Sequence, residues 1–474
     1  MEQTTEEVLA ELNRPGSVRV ASSAVLAAKV GTAAAAIDRA RARRAKSKGA
    51  AGEELARRKP GLVPLRGGGD LAITAWELLG VLARATALAR QGRGRGIAEH
   101  WQILKYCAAL GTDRLGTMRL SKGGQLPERS YRGMQARELG RAFGLAVAER
   151  AVRERFPDRI VSTVDAEPVL LAGFARSGKG LPNLGARPRP DYFIEAWRPG
   201  APSQLFAVTV NGNHQVATKR TGATDRTSYN QLARGAERAE NFQLAEWNDV
   251  PCLLLSTELL ATDGITVHAL RAPGGGLLPL RPAEGKGSAD EPPRKRNPPY
   301  TNAVQVQPAE GRLGRVQDGF AIPAEYSAWF GRVVAHVGAA SRLALAGGGR
   351  HIAWYLTEDQ GSKHYDIDTF AGSHSIHDAE SSFGDALYVG TDQVFRLGGL
   401  RVEAFSGMEN SLYQLLAKHE VEEYRREAYR LRGELPSGGD EQWSAVSFGD
   451  DGSALAIRIV PDQGGAVQTL EADL

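Results

Sequence analysis

Cysteine is almost absent from this sequence: its 474 residues include two, Cys107 and Cys252. Each lies inside an apolar run, which argues against a disulfide framework and against a cysteine metal site. Long hydrophobic runs are missing as well, since residues 20–37 are mostly alanine and contain Lys29. A membrane-spanning helix needs about 20 consecutive apolar residues, and the acidic amino terminus does not have the basic lead of a secretory signal. We therefore expect a cytoplasmic protein without a membrane partner.

The length and the charge pattern predict several units with different surfaces. A chain of 474 residues is too long for one compact core, so two or three domains are expected. Residues 1–150 contain 26 Lys and Arg against 14 Asp and Glu, residues 151–300 contain 19 against 16, and residues 301–474 contain 14 against 25. This segregation predicts one surface that contacts a polyanion and another that does not. High arginine, alanine and glycine usage is also typical of GC-rich, actinobacterial-type genomes.

Two short runs rich in β-branched and aromatic residues predict a hairpin within residues 188–215. Pro190-Asp191 precedes Tyr-Phe-Ile-Glu-Ala-Trp, a Pro/Gly/Ser turn follows, and Gln-Leu-Phe-Ala-Val-Thr-Val-Asn completes the second run. Pro190 cannot donate to a strand ladder, which places Asp191 at the entry of the first strand. Alternation in the second strand separates an apolar face from a face that carries Thr209 and Asn211. We expect these two side chains to point into a polar space.

This pattern resembles the core of the PD-(D/E)xK nuclease superfamily, the restriction-endonuclease-like fold, over about residues 130–272. In that family a Pro-Asp opens one strand, and an acid, a spacer and a lysine close the next. The two carboxylates share Mg²⁺ and the lysine faces the same phosphate. Pro190-Asp191 matches the first half, whereas Thr209-Val210-Asn211 stands where the acid, spacer and lysine belong. The resemblance therefore implies a site that has lost its second acid and its lysine.

The flanking segments extend the resemblance. A predicted helix at residues 135–156 carries Glu138 and Glu149, and the family aims an acid of this helix at the site. A second predicted helix at residues 228–245 and a buried strand at residues 250–257 follow the hairpin. Lys219, just after the hairpin, is the candidate for a relocated lysine. The resemblance thus marks Asp191, Glu138, Asn211 and Lys219 as a remnant or relocated catalytic site, with Mg²⁺ at Asp191 as cofactor if the site is active and none otherwise.

The first 125 residues predict helices with a basic surface. Thr4 begins a capping pattern ahead of Val8, Pro15-Gly16 breaks that helix, and residues 20–44 and 71–121 read as helical. Basic side chains on such helices lie along phosphates, although a solvated basic arm is an equally good interpretation. The nucleic-acid-binding candidates are Arg41, Arg43, Arg44, Lys46, Arg57, Arg58, Lys59, Arg93 and Arg95.

The carboxyl-terminal part predicts an acidic α+β unit after a linker. Residues 273–300 are rich in Pro, Gly and charge and have little to bury. Beyond them the patterns predict a helix at 326–337, a strand at 351–356, a hairpin at 394–405 and a long helix at 408–432. Potential metal ligands are concentrated in one segment, at Asp366, Asp368, His374 and His377. They favour either a metal site or, as the simpler interpretation, a polar loop.

We therefore expect an α/β protein with a helical amino-terminal region (1–125), a restriction-endonuclease-like mixed-sheet core (126–272), a linker (273–300) and a separate carboxyl-terminal α+β domain (301–474). The expected function is binding of nucleic acid, most simply DNA, in phage defence or genome maintenance, with little or no cleavage. The alternatives are an active Mg²⁺-dependent nuclease with relocated residues, a non-enzymatic assembly protein whose acidic domain binds a protein partner, and a hydrolase built on residues 364–378.

Overall fold

A computed structural model describes most of the chain. The described residues are 4–47, 61–66, 69–89, 98–125, 127–172, 188–214, 223–245, 250–260, 263–279, 301–306, 315–348, 351–357, 360–361, 379–398, 400–436 and 442–460.

The elements are listed here in chain order. The strands are β1 (Pro15–Ala21), β2 (Val63–Pro64), β3 (Leu71–Thr74), β4 (Leu110–Thr112), β5 (Met118–Leu120), β6 (Ile160–Asp165), β7 (Tyr192–Trp197), β8 (Ser203–Asn213), β9 (Phe242–Leu244), β10 (Cys252–Glu258), β11 (Thr266–Ala272), β12 (Leu277–Leu278), β13 (Thr301–Val306), β14 (Arg315–Ile322), β15 (Ala379–Phe383), β16 (Ala386–Leu397), β17 (Leu400–Glu409), β18 (Ala445–Phe448) and β19 (Ser453–Ile459). The helices are α1 (Thr5–Leu12), α2 (Ala24–Ser47), α3 (Ala75–Thr86), α4 (Lys122–Gln125), α5 (Arg129–Arg155), α6 (Ala166–Leu171), α7 (Ala223–Glu240), α8 (Ser327–Leu345), α9 (His351–Trp354), α10 (Asn410–Ala417) and α11 (Val421–Leu431), with 3₁₀ turns at Glu99–Tyr106 and Ala324–Tyr326.

A nine-stranded mixed sheet forms the centre of the molecule, in the order β3-β1-β11-β10-β8-β7-β6, with β12 beside β8 and β2 beside β11. β8 pairs in parallel with β10, and β1 pairs in parallel with β11. The remaining pairs in this sheet are antiparallel. The expected α/β class is confirmed at this level, because helices cover both faces of a mixed sheet.

The alternation predicted for β8 is present, and helices cover both of its faces. Phe206, Val208 and Val210 belong to the same buried cluster as apolar residues of α5. On the other face, a Cβ added at Gly235 of α7 would lie 2.5 Å from Thr209 Oγ1. The face that carries Thr209 is therefore buried beneath a helix, and the expectation that it points into a polar space is wrong for this residue.

Glycine permits the close approach of α5 to β8. A Cβ at Gly140 would lie 2.5 Å from the Cα atom of Gly212, and one at Gly212 would lie 2.0 Å from the carbonyl oxygen of Ala136. Real Cβ atoms do not approach backbone this closely. The two glycines thus set the distance between α5 and β8.

The amino-terminal region is helical only in part. Thr4 caps α1 in the predicted capping box, but β1 follows immediately and enters the central sheet between β3 and β11. The short run around the fully buried Val18 has the alternation of a strand. The alanine-rich stretch that follows it has a helical pattern, which dominated the prediction for this region. The expectation that residues 71–121 are all helical is wrong too, because they include β3, β4 and β5.

The carboxyl-terminal part contains a separate five-stranded antiparallel sheet, in the order β15-β16-β17-β19-β18. The predicted hairpin is present as β16 and β17. The predicted helix at 408–432 is two helices instead, because His419 has a φ of 69° and interrupts them. Residues 351–354 form α9 rather than a strand.

Within the described residues, helices connect this carboxyl-terminal part closely to the central sheet. Arg425 of α11 forms a buried ion pair with Glu195 of β7 at 2.8 Å, and the indole of Trp76 in α3 donates to the carbonyl of Leu455 at 2.9 Å. β12, at the start of the expected linker, pairs with β8, and β9 pairs with β14. None of the helices in the described ranges is long and apolar enough to cross a membrane.

Candidate functional site

A cavity of about 410 Å³ lies where β6 ends and β7 begins. Three arginines from different elements reach it, together with three carboxylates. Its lining residues are Leu88, Ala89, Arg141, Asp165, Glu167, Pro168, Pro188, Arg189, Pro190, Asp191, Tyr192, Arg238 and Gln360. Asp191, the residue that the sequence singled out, is therefore in a cavity of the size that small-molecule and phosphate sites have.

Both carboxylate oxygens of Asp191 are engaged. Oδ2 accepts a hydrogen bond from the backbone N–H of Val210 at 2.8 Å, which ties the start of β7 to β8. Oδ1 accepts from Nη1 of Arg238 at 2.5 Å. A carboxylate held by a backbone donor and a guanidinium is neutralised locally and fixed in orientation.

Arg238 connects the two halves of the motif. Its Nη2 donates to Oδ1 of Asn211 at 3.4 Å while Nη1 holds Asp191. The amide nitrogen of Asn211 donates in turn to the carbonyl of Gln231, at 3.5 Å. A guanidinium thus stands between the strand-entry aspartate and the position where the family has its lysine.

Thr209, at the position where the resemblance predicts the second acid, is sealed from the cavity. It is fully buried, and its Oγ1 has no hydrogen-bond partner. A carboxylate in this place would be an unpaired buried charge, which proteins avoid. The position cannot act as a metal ligand in the present packing of α7.

Arg141 is the cavity's available cation. It extends from α5 with its guanidinium 5.6 Å from the ring centroid of Tyr192, and no described carboxylate is within ion-pair distance. The pKa of Arg141 is raised by Tyr192 and, at longer range, by Asp165 and Asp191. A permanently charged guanidinium in a cavity, without a bonded acid, is suited to bind a phosphate.

Asp165 is the cavity's titratable group. Its Oδ1 accepts from the backbone N–H of Glu167 at 2.8 Å and so caps α6. Burial raises the pKa of Asp165 to about 6, although that hydrogen bond and the positive charges of Arg141 and Arg189 oppose the shift. The charge of the cavity therefore changes close to neutral pH.

Of the other predicted catalytic residues, Asn211 contacts Arg238, whereas Glu138 is engaged elsewhere. Glu138 accepts from the Tyr106 hydroxyl at 2.6 Å and pairs with Lys105 at 2.8 Å, so it does not line the cavity. Glu195, a second acidic residue of the hairpin, is held by Arg425. Lys219 lies outside the described residues.

Of the residues predicted to bind nucleic acid, only those on α2 are among the described residues. Arg41, Arg43, Arg44 and Lys46 are exposed on its last turns, and Arg41 pairs with Glu237 of α7 at 2.5 Å. The remaining candidates, Arg57, Arg58, Lys59, Arg93 and Arg95, lie outside the described residues.

The donor set at Asp191 does not fit a divalent ion. Mg²⁺ is held by carboxylates and water. Asp191 faces a guanidinium instead, and the neighbouring strand has Thr209, not a carboxylate, where the resemblance predicts the second acid. Among the described residues no group of three or more His, Cys, Asp and Glu side chains could hold a metal. The candidate ligands Asp366, Asp368, His374 and His377 belong to a segment outside those residues.

Sequence reasoning missed Arg238, Arg141 and Asp165. Arg238 and Arg141 lie on helices, where one arginine among many gives no local signal. Asp165 follows an apolar run rich in β-branched residues and precedes Glu167-Pro168, a helix-start pattern that could have located it. Comparison with family models, curated proteins and solved structures found no match to this chain.

Proposed function

We propose that this chain is a DNA-binding protein built on a restriction-endonuclease-like core that does not cleave DNA. The observation that carries the proposal is the Arg238 guanidinium, which bridges Asp191 and Asn211. In the family that the sequence resembles, a divalent ion and a lysine occupy this region. An internal arginine supplies positive charge there but neither activates water nor polarises a phosphodiester as a metal does.

The order of the elements supports the proposed core. α5 is followed by β6, α6, the β7–β8 hairpin, α7, β9 and β10. This succession contains the helix, hairpin, helix and strand order that the resemblance implies. β10 pairs in parallel with β8, and Asp191 directly precedes β7. The match in chain order is independent of the charged residues at the site.

Basic side chains near the site support binding of a polyanion. α2 packs against α7, the helix that carries Arg238, and the exposed end of α2 presents Arg43, Arg44 and Lys46. Each phosphate neutralised by such a residue releases counterions, which makes binding salt-dependent. Arg141 provides a further contact inside the cavity.

The biological setting is part of the same proposal. A DNA-binding protein with a nuclease-like but inactive core fits phage defence or genome maintenance in the bacterial cytoplasm. The acidic carboxyl-terminal part, with 14 Lys and Arg against 25 Asp and Glu, would repel DNA and is the surface for a protein partner.

Fluorescence anisotropy with a labelled DNA duplex at several salt concentrations tests the proposal. We expect the triple variant Arg43→Ala, Arg44→Ala, Lys46→Ala to bind more weakly and to reduce the slope of log affinity against log salt by about 3, since each phosphate contact contributes about 0.9. The matched control removes three exposed arginines elsewhere, Arg198, Arg426 and Arg430, and should leave the slope unchanged. Absence of binding at low salt would favour the assembly-protein alternative instead.

A further inference from the structure

A second cavity, of about 510 Å³, lies beside the last turns of α5. The start of β10, the end of β11 and the residues after β2 complete its walls. Among the described residues it has no lining residue in common with the Asp191 cavity. It is therefore a separate site, and its volume is within the range of about 300–1,000 Å³ that is typical of small-molecule sites.

The inner wall of this cavity is apolar. Val152, Phe206 and Leu253 are buried side chains that line it, and Leu65 lines it from the segment after β2. Such a wall removes a flat apolar group from water without needing any directional contact.

Three arginines surround the same space. Arg66 and Arg155 are exposed, whereas Arg271 is partly buried. Nε of Arg271 donates to the carbonyl of Pro64 at 3.2 Å, and the Arg155 guanidinium lies 5.8 Å from the ring centroid of Phe206. These contacts hold two of the guanidinium groups in place without neutralising them.

No described carboxylate is within ion-pair distance of these three arginines. The one acidic residue that lines the cavity, Glu154, accepts from Arg150 at 2.7 Å. The pKa of Arg271 is lowered by burial and then by the charges of Arg66 and Arg155, so the three cations are close enough to repel one another. Like charges gathered without a counter-charge are stabilised by an anion that binds between them.

We propose that this cavity binds a nucleoside polyphosphate, with the phosphates between Arg66, Arg155 and Arg271 and the base against the apolar wall. A polyphosphate concentrates several charges on adjacent groups, which matches three neighbouring guanidinium groups. Exposed guanidinium planes also stack on flat rings. A nucleic-acid backbone spreads its charges along the strand, and inorganic polyphosphate leaves the apolar wall empty.

Isothermal titration calorimetry of the full chain with ATP, with inorganic tripolyphosphate and with a 5′-phosphorylated single strand of DNA tests this assignment. We expect ATP to bind more tightly than tripolyphosphate. The double variant Arg66→Ala, Arg155→Ala should weaken ATP binding at least about tenfold, because charge-assisted hydrogen bonds to phosphate are lost. The matched control, Arg426→Ala with Arg430→Ala, should bind ATP as the wild type does.

Three results would overturn the assignment. ATP affinity that is equal in the double variant and the wild type would show that these arginines are not the site. Tripolyphosphate that binds as tightly as ATP would show that the apolar wall does not contribute to affinity. A DNA strand that binds as tightly as ATP, competes with ATP in the wild type and binds more weakly to the double variant would identify a nucleic-acid end as the ligand. Circular dichroism of each variant checks that the fold is retained.

Discussion

The guanidinium of Arg238 donates to Asp191 at 2.5 Å and to Asn211 at 3.4 Å. A helix residue thereby joins the entry of β7 to the end of β8, across the position that the family resemblance assigns to a metal. The Asp191 and Arg238 side chains are 26% and 25% exposed, so the pair is partly shielded from solvent.

Loss of this guanidinium should destabilise the fold. We expect Arg238→Ala to reduce the free energy of unfolding by about 1–3 kcal/mol, because the charged hydrogen bond is lost and Asp191 keeps a partly buried charge. Urea denaturation followed by circular dichroism measures the change. Arg426→Ala, at an exposed residue of α11, is the matched control and should stay within about 0.5 kcal/mol of wild type. An equal loss in both variants would contradict the role of Arg238.

The buried hydroxyl of Thr209 should cost stability. Its Oγ1 has no hydrogen-bond partner, so Thr209→Val, which replaces the hydroxyl by a methyl group of similar size, should raise the free energy of unfolding by about 1 kcal/mol. Urea denaturation would show this as a higher midpoint with an unchanged slope. A clear loss of stability in Thr209→Val would mean that the hydroxyl has a partner after all.

Because α7 packs closely on β8, the stability effects of substitutions at Gly235 and Thr209 should depend on each other. A Cβ at Gly235 would lie 2.5 Å from Thr209 Oγ1, so Gly235→Ala should destabilise the fold by about 1–3 kcal/mol through overpacking, despite the better helix propensity of alanine. Thr209→Ala should relieve most of this loss in the double variant. A double-mutant cycle with additive effects would argue against close packing of the two residues.

Asp165 should make stability depend on pH. Its pKa of about 6 in the folded state lies above the ordinary 3.8, so the folded state binds more protons between these values. Stability should therefore be highest below pH 4 as far as this group is concerned, and should fall as the pH rises to about 6, by at most about 3 kcal/mol. Asp165→Asn keeps the helix cap and removes the titration. Unfolding free energies of both proteins at pH 4.5 and pH 7 measure the effect; a constant difference between them would contradict it.

The buried ion pair between α11 and β7 should be essential for stability. Arg425 pairs with Glu195 at 2.8 Å and lies 4.2 Å from the ring centroid of Trp197. Glu195→Ala leaves the arginine buried without this acid and should cost about 3–5 kcal/mol. The double variant Glu195→Leu, Arg425→Met removes both charges and should lose less. Thermal unfolding of the wild type, the single variant and the double variant measures these losses. A double variant that is less stable than Glu195→Ala would refute this account.

Local patterns predicted the elements with strong periodicity. The β7–β8 hairpin, the strand that is β10 and the helix that is α5 follow from alternation or helical spacing of apolar residues. β1 was missed because its pairing with β11 joins residues 19–21 to residues 266–268, a relationship that no local pattern contains. Helix 408–432 was predicted as continuous because His419 has no sequence feature that forces a positive φ.

Only the part of the site that the two strands contribute was predictable from the sequence. Pro190-Asp191 and Thr209-Val210-Asn211 lie on neighbouring strands at a spacing that sequence reveals. Arg238 is 27 residues beyond Asn211 and reaches it only because α7 covers the face of β8. The pairing of an arginine with the motif is therefore a consequence of tertiary packing.

The most direct test of the central claim is one titration of duplex DNA with the full chain, with and without Mg²⁺, at several salt concentrations, with the products resolved on a gel. We predict binding that weakens steeply with salt and DNA that stays intact in every lane. Cleavage that requires Mg²⁺ and disappears in Asp191→Ala would contradict the account, because it would show that Arg238 does not exclude a working metal site.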